Sequence, residues 1–111
     1  MKIELAKTEV IHFVGIGGIG MSGLSLIMRA KGFKIQGSDL NLNKNVERLK
    51  KEKIKVFIGQ KKQNLKDATI VVVSSAIKKN NPEIIEAKRK NLPIIKTVSY
   101  THLTLPTNRE V

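Results

Sequence analysis

Ile11-His12-Phe13-Val14-Gly15-Ile16-Gly17-Gly18-Ile19-Gly20-Met21-Ser22-Gly23 is the stretch whose reading decides the fold. A short apolar run empties into glycines, and an amphipathic pattern begins at once behind them, which is the order strand, tight turn, helix. Gly15 to Gly20 satisfies the G-x-G-x-x-G pattern, and its place between an apolar strand and a helical pattern raises the match above chance. Such a turn brings bare backbone N–H groups and a helix N-terminus against an anion, usually a diphosphate. The expectation is a nucleotide or phosphate site, the plainer alternative being a merely structural turn.

Outward from this turn, strand and helix patterns alternate. Val10 to Val14 reads as a buried strand; Met21, Leu24, Ile27 and Met28 fall at helical spacing, with Gly32 at the place of a left-handed C-terminal cap. Lys34 to Gly37 reads as a second strand ending in Ser38-Asp39, and Leu42, Val46 and Leu49 mark a second helix face. Lys55 to Ile58 is a third strand stopped by Gly59, and Gln60 to Asp67 a polar loop with one helical turn at most. Ala68 to Val73 has the look of a central parallel strand buried on both faces. Asn81-Pro82-Glu83 opens a helix with an N-cap side chain, a proline and a first-turn acid, and Ile84, Ile85 and Ala87 supply its apolar side. Pro93-Ile94-Ile95 is a last strand. The pattern predicts an α/β domain, a parallel sheet of about five strands flanked by helices.

A chain of 111 residues has room for one ordinary domain. It lacks both the apolar run of a membrane span and the apolar core of a signal peptide. There is no cysteine, so disulfides and thiolate chemistry are excluded, and the expected setting is cytoplasmic. The net charge of +12, from 21 basic against 9 acidic residues, invites a nucleic-acid reading. The lysines are scattered in pairs, however, and one tyrosine and three phenylalanines make no stacking platform. A solvated lysine-rich surface is the expectation, with neither nucleic acid nor membrane as partner.

Asp39 stands roughly 20 residues past the last glycine, where dinucleotide folds keep an acid for a ribose hydroxyl; Asp39 or Asn41 as N-cap of the next helix is the competing reading. Ser74-Ser75-Ala76-Ile77 follows the central strand and should lie at the carboxyl edge of the sheet beside the glycine turn, within reach of a nucleotide, unless it is only a polar strand end. His12, alone within a strand, reads as a structural residue, and His102 has no role. No Ser/His/Asp set, carboxylate pair or metal-spaced cluster can be assembled, so no catalytic or metal-ligating residue is expected.

His12 to Leu24, with Gly37-Ser38-Asp39, Val56-Phe57-Ile58-Gly59, Val71 to Ile77, Asn81-Pro82-Glu83 and Leu92-Pro93-Ile94-Ile95 in order, resembles the N-terminal domain of the Mur ligases, and within them the alanine-adding branch. The Gly-Met-Ser-Gly continuation of the turn and the Ser-Ser-Ala-Ile segment carry the specificity. The resemblance implies a Rossmann-like domain, residues 1–96, that holds the UDP part of UDP-N-acetylmuramate for ATP-dependent addition of L-alanine in peptidoglycan synthesis. Gly15, Gly17, Gly18, Ile19, Gly20, Met21 and Ser22 would surround the phosphates, while Ser38, Asp39, Ser74, Ser75, Ala76 and Ile77 would shape the uridine side. Gln60 stands where these enzymes often carry histidine.

ATP and Mg2+ are implied for the full-length enzyme through a central P-loop domain. No G-x-x-x-x-G-K-[ST] occurs in this sequence, so the chain is expected to hold substrate, bind no cofactor of its own and be inactive alone. From Thr97 to Val111 lysine vanishes and threonine recurs at Thr97, Thr101, Thr104 and Thr107. Residues 97–111 are accordingly expected to be an atypical tail, with Ser99 to Thr107 foreign or out of frame, or else a linker. The alternative function is an NAD-binding domain of a regulatory protein or oxidoreductase, favoured by the glycine turn and Asp39 alone; a basic nucleic-acid module stands further behind.

Overall fold

The computed structural model describes residues 8–74 and 77–97, with Ile19 described by its backbone alone. Its elements are β1 (Val10–Val14), α1 (Ile19–Ala30), β2 (Lys34–Asp39), α2 (Lys44–Lys51), β3 (Lys55–Ile58), β4 (Ile70–Ser74), α3 (Pro82–Arg89) and β5 (Ile94–Thr97). A 3-10 turn at Lys62–Leu65 stands in place of a helix between β3 and β4. The strands pair in parallel in the order β3-β2-β1-β4-β5, the expected Rossmann-like arrangement. Strand order therefore reverses between β1 and β4, and the crevice outside their carboxyl ends is where open α/β sheets bind ligands.

The alternation of side chains along each strand divides the core in two. Ile11, Phe13, Ile35, Ile70 and Val72 pack with Met21, Leu24 and Met28 of α1 and Leu49 of α2. Val14, Val71 and Val73 point the other way, onto Leu65, Ile84 and Ala87. Ile16, in the glycine turn, is fully buried and lies against β2 at Gly37, where a Cβ would stand 2.6 Å from the Ile16 Cβ and 2.8 Å from the Phe13 carbonyl oxygen. The absence of a side chain at Gly37 thus seats the turn on the sheet.

All three helices end in the same way. After α1 the N–H of Gly32 donates to the Arg29 carbonyl and that of Phe33 to Met28, with Gly32 at φ 98°, a Schellman motif whose following apolar residue, Phe33, enters the core. The same pair of bonds closes α2 through Lys53 (φ 66°) and Ile54, and α3 through Asn91 (φ 58°) and Leu92. Only the first of these caps uses glycine.

Several sequence expectations need correction. Ile27 and Ile85 are 51% and 55% exposed, on the outer faces of α1 and α3, so neither belongs to the core stripe. Leu42 precedes α2 and is 55% exposed. The N-cap of α2 is Asn43, whose side chain accepts the Val46 N–H at 2.9 Å, and neither Asp39 nor Asn41. The central strand starts at Ile70, with Ala68 buried just ahead of it. Thr97 closes β5, its hydroxyl donating to the Val73 carbonyl at 3.2 Å. His102, Ser75, Ala76 and the stretch from Ser99 to Thr107 lie outside the described residues.

Two substitutions test this packing by urea denaturation. Gly37→Ala should cost about 1–3 kcal/mol, because its Cβ has no room against Ile16 and the Phe13 carbonyl. Lys53→Gly should stabilise by about 1 kcal/mol, since it relieves a left-handed conformation that a side chain disfavours.

Candidate functional site

The carboxyl edge of β1 opens into the glycine turn, and hydrogen-bond accounting there separates the glycines by task. The N–H groups of Gly15 and Ile16 both donate to the Ser38 carbonyl, at 2.9 and 2.8 Å, and the Gly18 N–H donates to Gly15 at 3.1 Å. The Gly17 N–H donates to Asp39 Oδ2 at 2.8 Å. A Cβ on Gly17 would fall 2.7 Å from that oxygen and 2.8 Å from Val46 Cγ2, so Gly17 is glycine to let the acid and α2 close in. Around Gly18 the nearest atom to an added Cβ is the Gly15 carbonyl oxygen at 3.5 Å: the fold itself would accept a methyl group there.

Behind Gly18 begins α1. Helical geometry gives the N–H groups of Ile19, Gly20 and Met21 no acceptor within the helix, the first intrahelical bond being Ser22 N–H to the Gly18 carbonyl. Gly18, the N-cap, contributes no side-chain acceptor, and the first turn has no acidic residue. The positive end of the helix is thus presented at the switch point between β1 and β4, a ready site for a phosphate. Ile77 stands across the crevice, its Cδ1 3.5 Å from the position of a Gly15 Cβ. Ser74 is half-buried at the end of β4, and Thr97 of β5 reaches Met21 Sδ at 3.8 Å. The structure therefore gathers Gly15, Gly17, Gly18, Ile19, Gly20, Met21, Ser22, Ser74 and Ile77 at one edge.

Asp39 and Ser38 sit differently from the simplest expectation. Both oxygens of Asp39 already serve the backbone, Oδ2 on Gly17 and Oδ1 on the Leu40 N–H at 2.8 Å. Ser38 is fully buried, and its hydroxyl donates to Glu83 Oε1 at 2.7 Å. Its side chain faces the α3 layer, so it supports the turn from below.

Glu83 is the centre of a buried polar network that sequence reasoning does not assemble. Its Oε1 also accepts from His12 Nε2 at 2.8 Å; its Oε2 accepts from Asn64 Nδ2 at 2.6 Å and the Lys61 N–H at 3.2 Å. Gln36 Nε2 donates to the Asn64 carbonyl at 2.9 Å and meets His12 Nδ1 at 2.8 Å. Because the Gln36 amide nitrogen has only hydrogens to offer, His12 Nδ1 must be the acceptor, which places the single imidazole proton on Nε2 facing Glu83. His12 is therefore a structural residue, as its isolation in a strand suggests. A serine, a histidine and an acid do meet here, against the expectation that no such set can be assembled. However, the serine donates to the acid and not to the histidine, and all three are fully buried, so this is no nucleophilic centre.

Away from the edge, a cavity of about 420 Å³ is lined by Lys62, Gln63, Lys66, Glu86, Arg89 and Lys90. Arg89 donates to both Glu86 oxygens, at 2.9 and 2.7 Å, and these hydrogen bonds hold the Glu86 carboxyl below the usual carboxylate range. Lys90 Nζ donates to the Leu65 carbonyl at 2.8 Å. Among the described residues no cluster of His, Cys, Asp or Glu could hold a metal ion, and no helix is long and apolar enough to cross a membrane.

Residues 10–102 match the model of the Mur ligase family, catalytic domain. The chain belongs to the Mur ligase family. It is 72% identical over 96 residues to UDP-N-acetylmuramate–L-alanine ligase of Pelagibacter ubique, which covers 86% of this chain and 21% of that one. The Brucella ovis enzyme of the same name is 52% identical over the same share of this chain and 20% of its own. The fold superposes on UDP-N-acetylmuramate-alanine ligase from Thermotoga maritima with a TM-score of 0.78 at 35% identity, over 83% of this chain and 21% of that one. A Neisseria meningitides ligase for UDP-N-acetylmuramate and L-alanyl-gamma-D-glutamyl-meso-diaminopimelate gives 0.71 at 28% identity, over 79% and 28%. The chain spans about a fifth of the length of the curated relatives it matches.

The buried network predicts a sharp contrast between two glutamates of this Mur ligase domain. Glu83→Gln puts an amide N–H₂ against a hydrogen-bond donor and should cost about 3 kcal/mol in urea denaturation. Glu86→Gln, which alters a pair whose partner Arg89 is 70% exposed, should move the denaturation midpoint far less.

Proposed function

We propose that this chain is the substrate-holding N-terminal domain of a UDP-N-acetylmuramate–L-alanine ligase, and that the diphosphate of UDP-N-acetylmuramate rests on the first turn of α1. The observation that carries this reading is the division of N–H groups at the glycine turn. Those of Gly15 to Gly18 are used to build the turn, while those of Ile19, Gly20 and Met21 begin a helix with no side-chain cap, at the switch point of the sheet. Gly18 leaves the space above them open. Met21 and Ser22 border this cradle, and Ser74 and Ile77 mark the uridine side. Asp39 acts on the ligand indirectly, by holding Gly17 in place.

The ligation itself joins the muramoyl carboxylate to the amine of L-alanine at the expense of ATP, with Mg2+, and those steps belong to regions of the longer relatives that these residues do not represent. This domain contributes binding and orientation of the nucleotide end. The engagement of both Asp39 oxygens with backbone N–H groups favours a UDP-sugar over NAD, whose ribose would call on that acid. A cytoplasmic setting accords with a nucleotide-sugar substrate.

Calorimetric titration distinguishes the two ligands: UDP-N-acetylmuramate should bind the chain more tightly than NAD, and the reverse order would overturn the assignment. Gly18→Ala should keep the wild-type melting temperature within a few degrees yet reduce UDP-N-acetylmuramate affinity about tenfold or more, because its methyl group occupies ligand space and no protein space. Gly17→Ala should lower the melting temperature instead.

A further inference from the structure

We propose that Glu83 is a positioning residue for the anion cradle: through the Ser38 hydroxyl, its carboxylate fixes the carbonyl that holds the Gly15 and Ile16 amides, and with them the start of α1. The path is continuous and short. Glu83 Oε1 accepts from Ser38 Oγ at 2.7 Å, and the Ser38 carbonyl accepts the Gly15 and Ile16 N–H groups at 2.9 and 2.8 Å. Ile16 is locked in turn against Gly37. The other end of the path is equally firm. Glu83 Oε2 is held by Asn64 and Lys61, its own N–H by the Asn81 side chain at 2.8 Å, and the Asn81 amide by Gln60 Oε1 at 2.6 Å.

Geometry also defines what the carboxylate must be. Four donors converge on its two oxygens, and the side chain projects from the first turn of α3, where the helix N-terminus favours an acid. An interior group of this kind has one arrangement in which every donor is satisfied, so it specifies the relative placement of β1, β2, the 3-10 turn and α3 more narrowly than apolar packing does. The residues so placed are those beneath the cradle. Glu83 never touches the ligand; it sets the direction in which the N–H groups of Ile19, Gly20 and Met21 point. This inference rests on the reading of that turn as a diphosphate cradle.

The test combines amide NMR spectra of the 111-residue chain with calorimetric titration of UDP-N-acetylmuramate. Glu83→Gln should move the Gly15 and Ile16 amide resonances while Ser38 is present and leave them unmoved in a Ser38→Ala background. Ser38→Ala, which keeps the backbone carbonyl and removes only the link, should raise the Kd by about 3- to 30-fold. Val71→Ala, a truncation in the same core layer, should lower the melting temperature without changing that Kd. Unaltered affinity in Ser38→Ala overturns the proposal, and so does an equal loss of affinity in Val71→Ala, which would make the effect one of general stability. The amide readout needs no ligand: a wild-type chain that fails to bind UDP-N-acetylmuramate refutes the ligand assignment, while the Glu83 and Ser38 spectra still decide whether the path exists.

Discussion

The carboxylate of Glu83, buried among four donors, is the interaction on which the α3 side of this domain depends. The need for it follows from the chain's economy. Among the described residues, two full helices cover one face of the sheet, while the other has α3 and a 3-10 turn of four residues. Over β1 and β2 that face therefore carries His12, Gln36 and Ser38 in place of aliphatic side chains, at neighbouring positions of the parallel register. Polar groups withdrawn from water must be paired. Glu83 answers three of the elements at once because it projects from the first turn of α3, which also favours its charge.

How much of this was legible in the sequence differs by element, for identifiable reasons. The central strand declared itself by its β-branched run, and α1 by its periodicity and by Gly32, where the residue type and the φ of 98° coincide. The caps at Lys53 and Asn91 have the same geometry without the glycine, and hydrogen bonding plus an apolar residue after each overrides a side chain's aversion to positive φ. Nothing in a lysine signals that. Asn43 was passed over for Asp39 and Asn41, since all three alternate positions carry a residue type that can cap a helix and the choice is made by where the backbone enters α2.

The network was illegible for a different reason. Glu83 follows Asn81 and Pro82 and fits the pattern of a helix start so well that its acid has a sufficient local explanation; His12 lies 71 residues away. Each residue alone is unremarkable, and the pairing exists only through the topology that brings α3 over β1. A usable signal was present: a histidine in β1 and a glutamine and serine in β2 fall on one face by simple alternation, and such a polar stripe inside a parallel sheet calls for a buried partner. That the glycine turn and the end of the central strand lie side by side was legible, because a turn after the first strand and the carboxyl end of its parallel neighbour must meet at the switch point.

The letters of the glycine motif conceal unequal duties, and the accounting of N–H groups separates them. Gly17 answers to the protein, because its missing side chain admits Asp39 and Val46. Gly18 is not demanded by the packing, because among the described residues no atom comes closer than 3.5 Å to a Cβ placed there. Asp39 is drawn inward by the same economy: with Gly17 so close, its carboxylate satisfies a backbone N–H that would otherwise be left in a part-buried corner. The acid that dinucleotide sites aim at a ribose becomes part of the turn's own framework. A turn built in this way offers an anion the positive end of one helix and little else that is charged, which is the property the proposed diphosphate ligand would use.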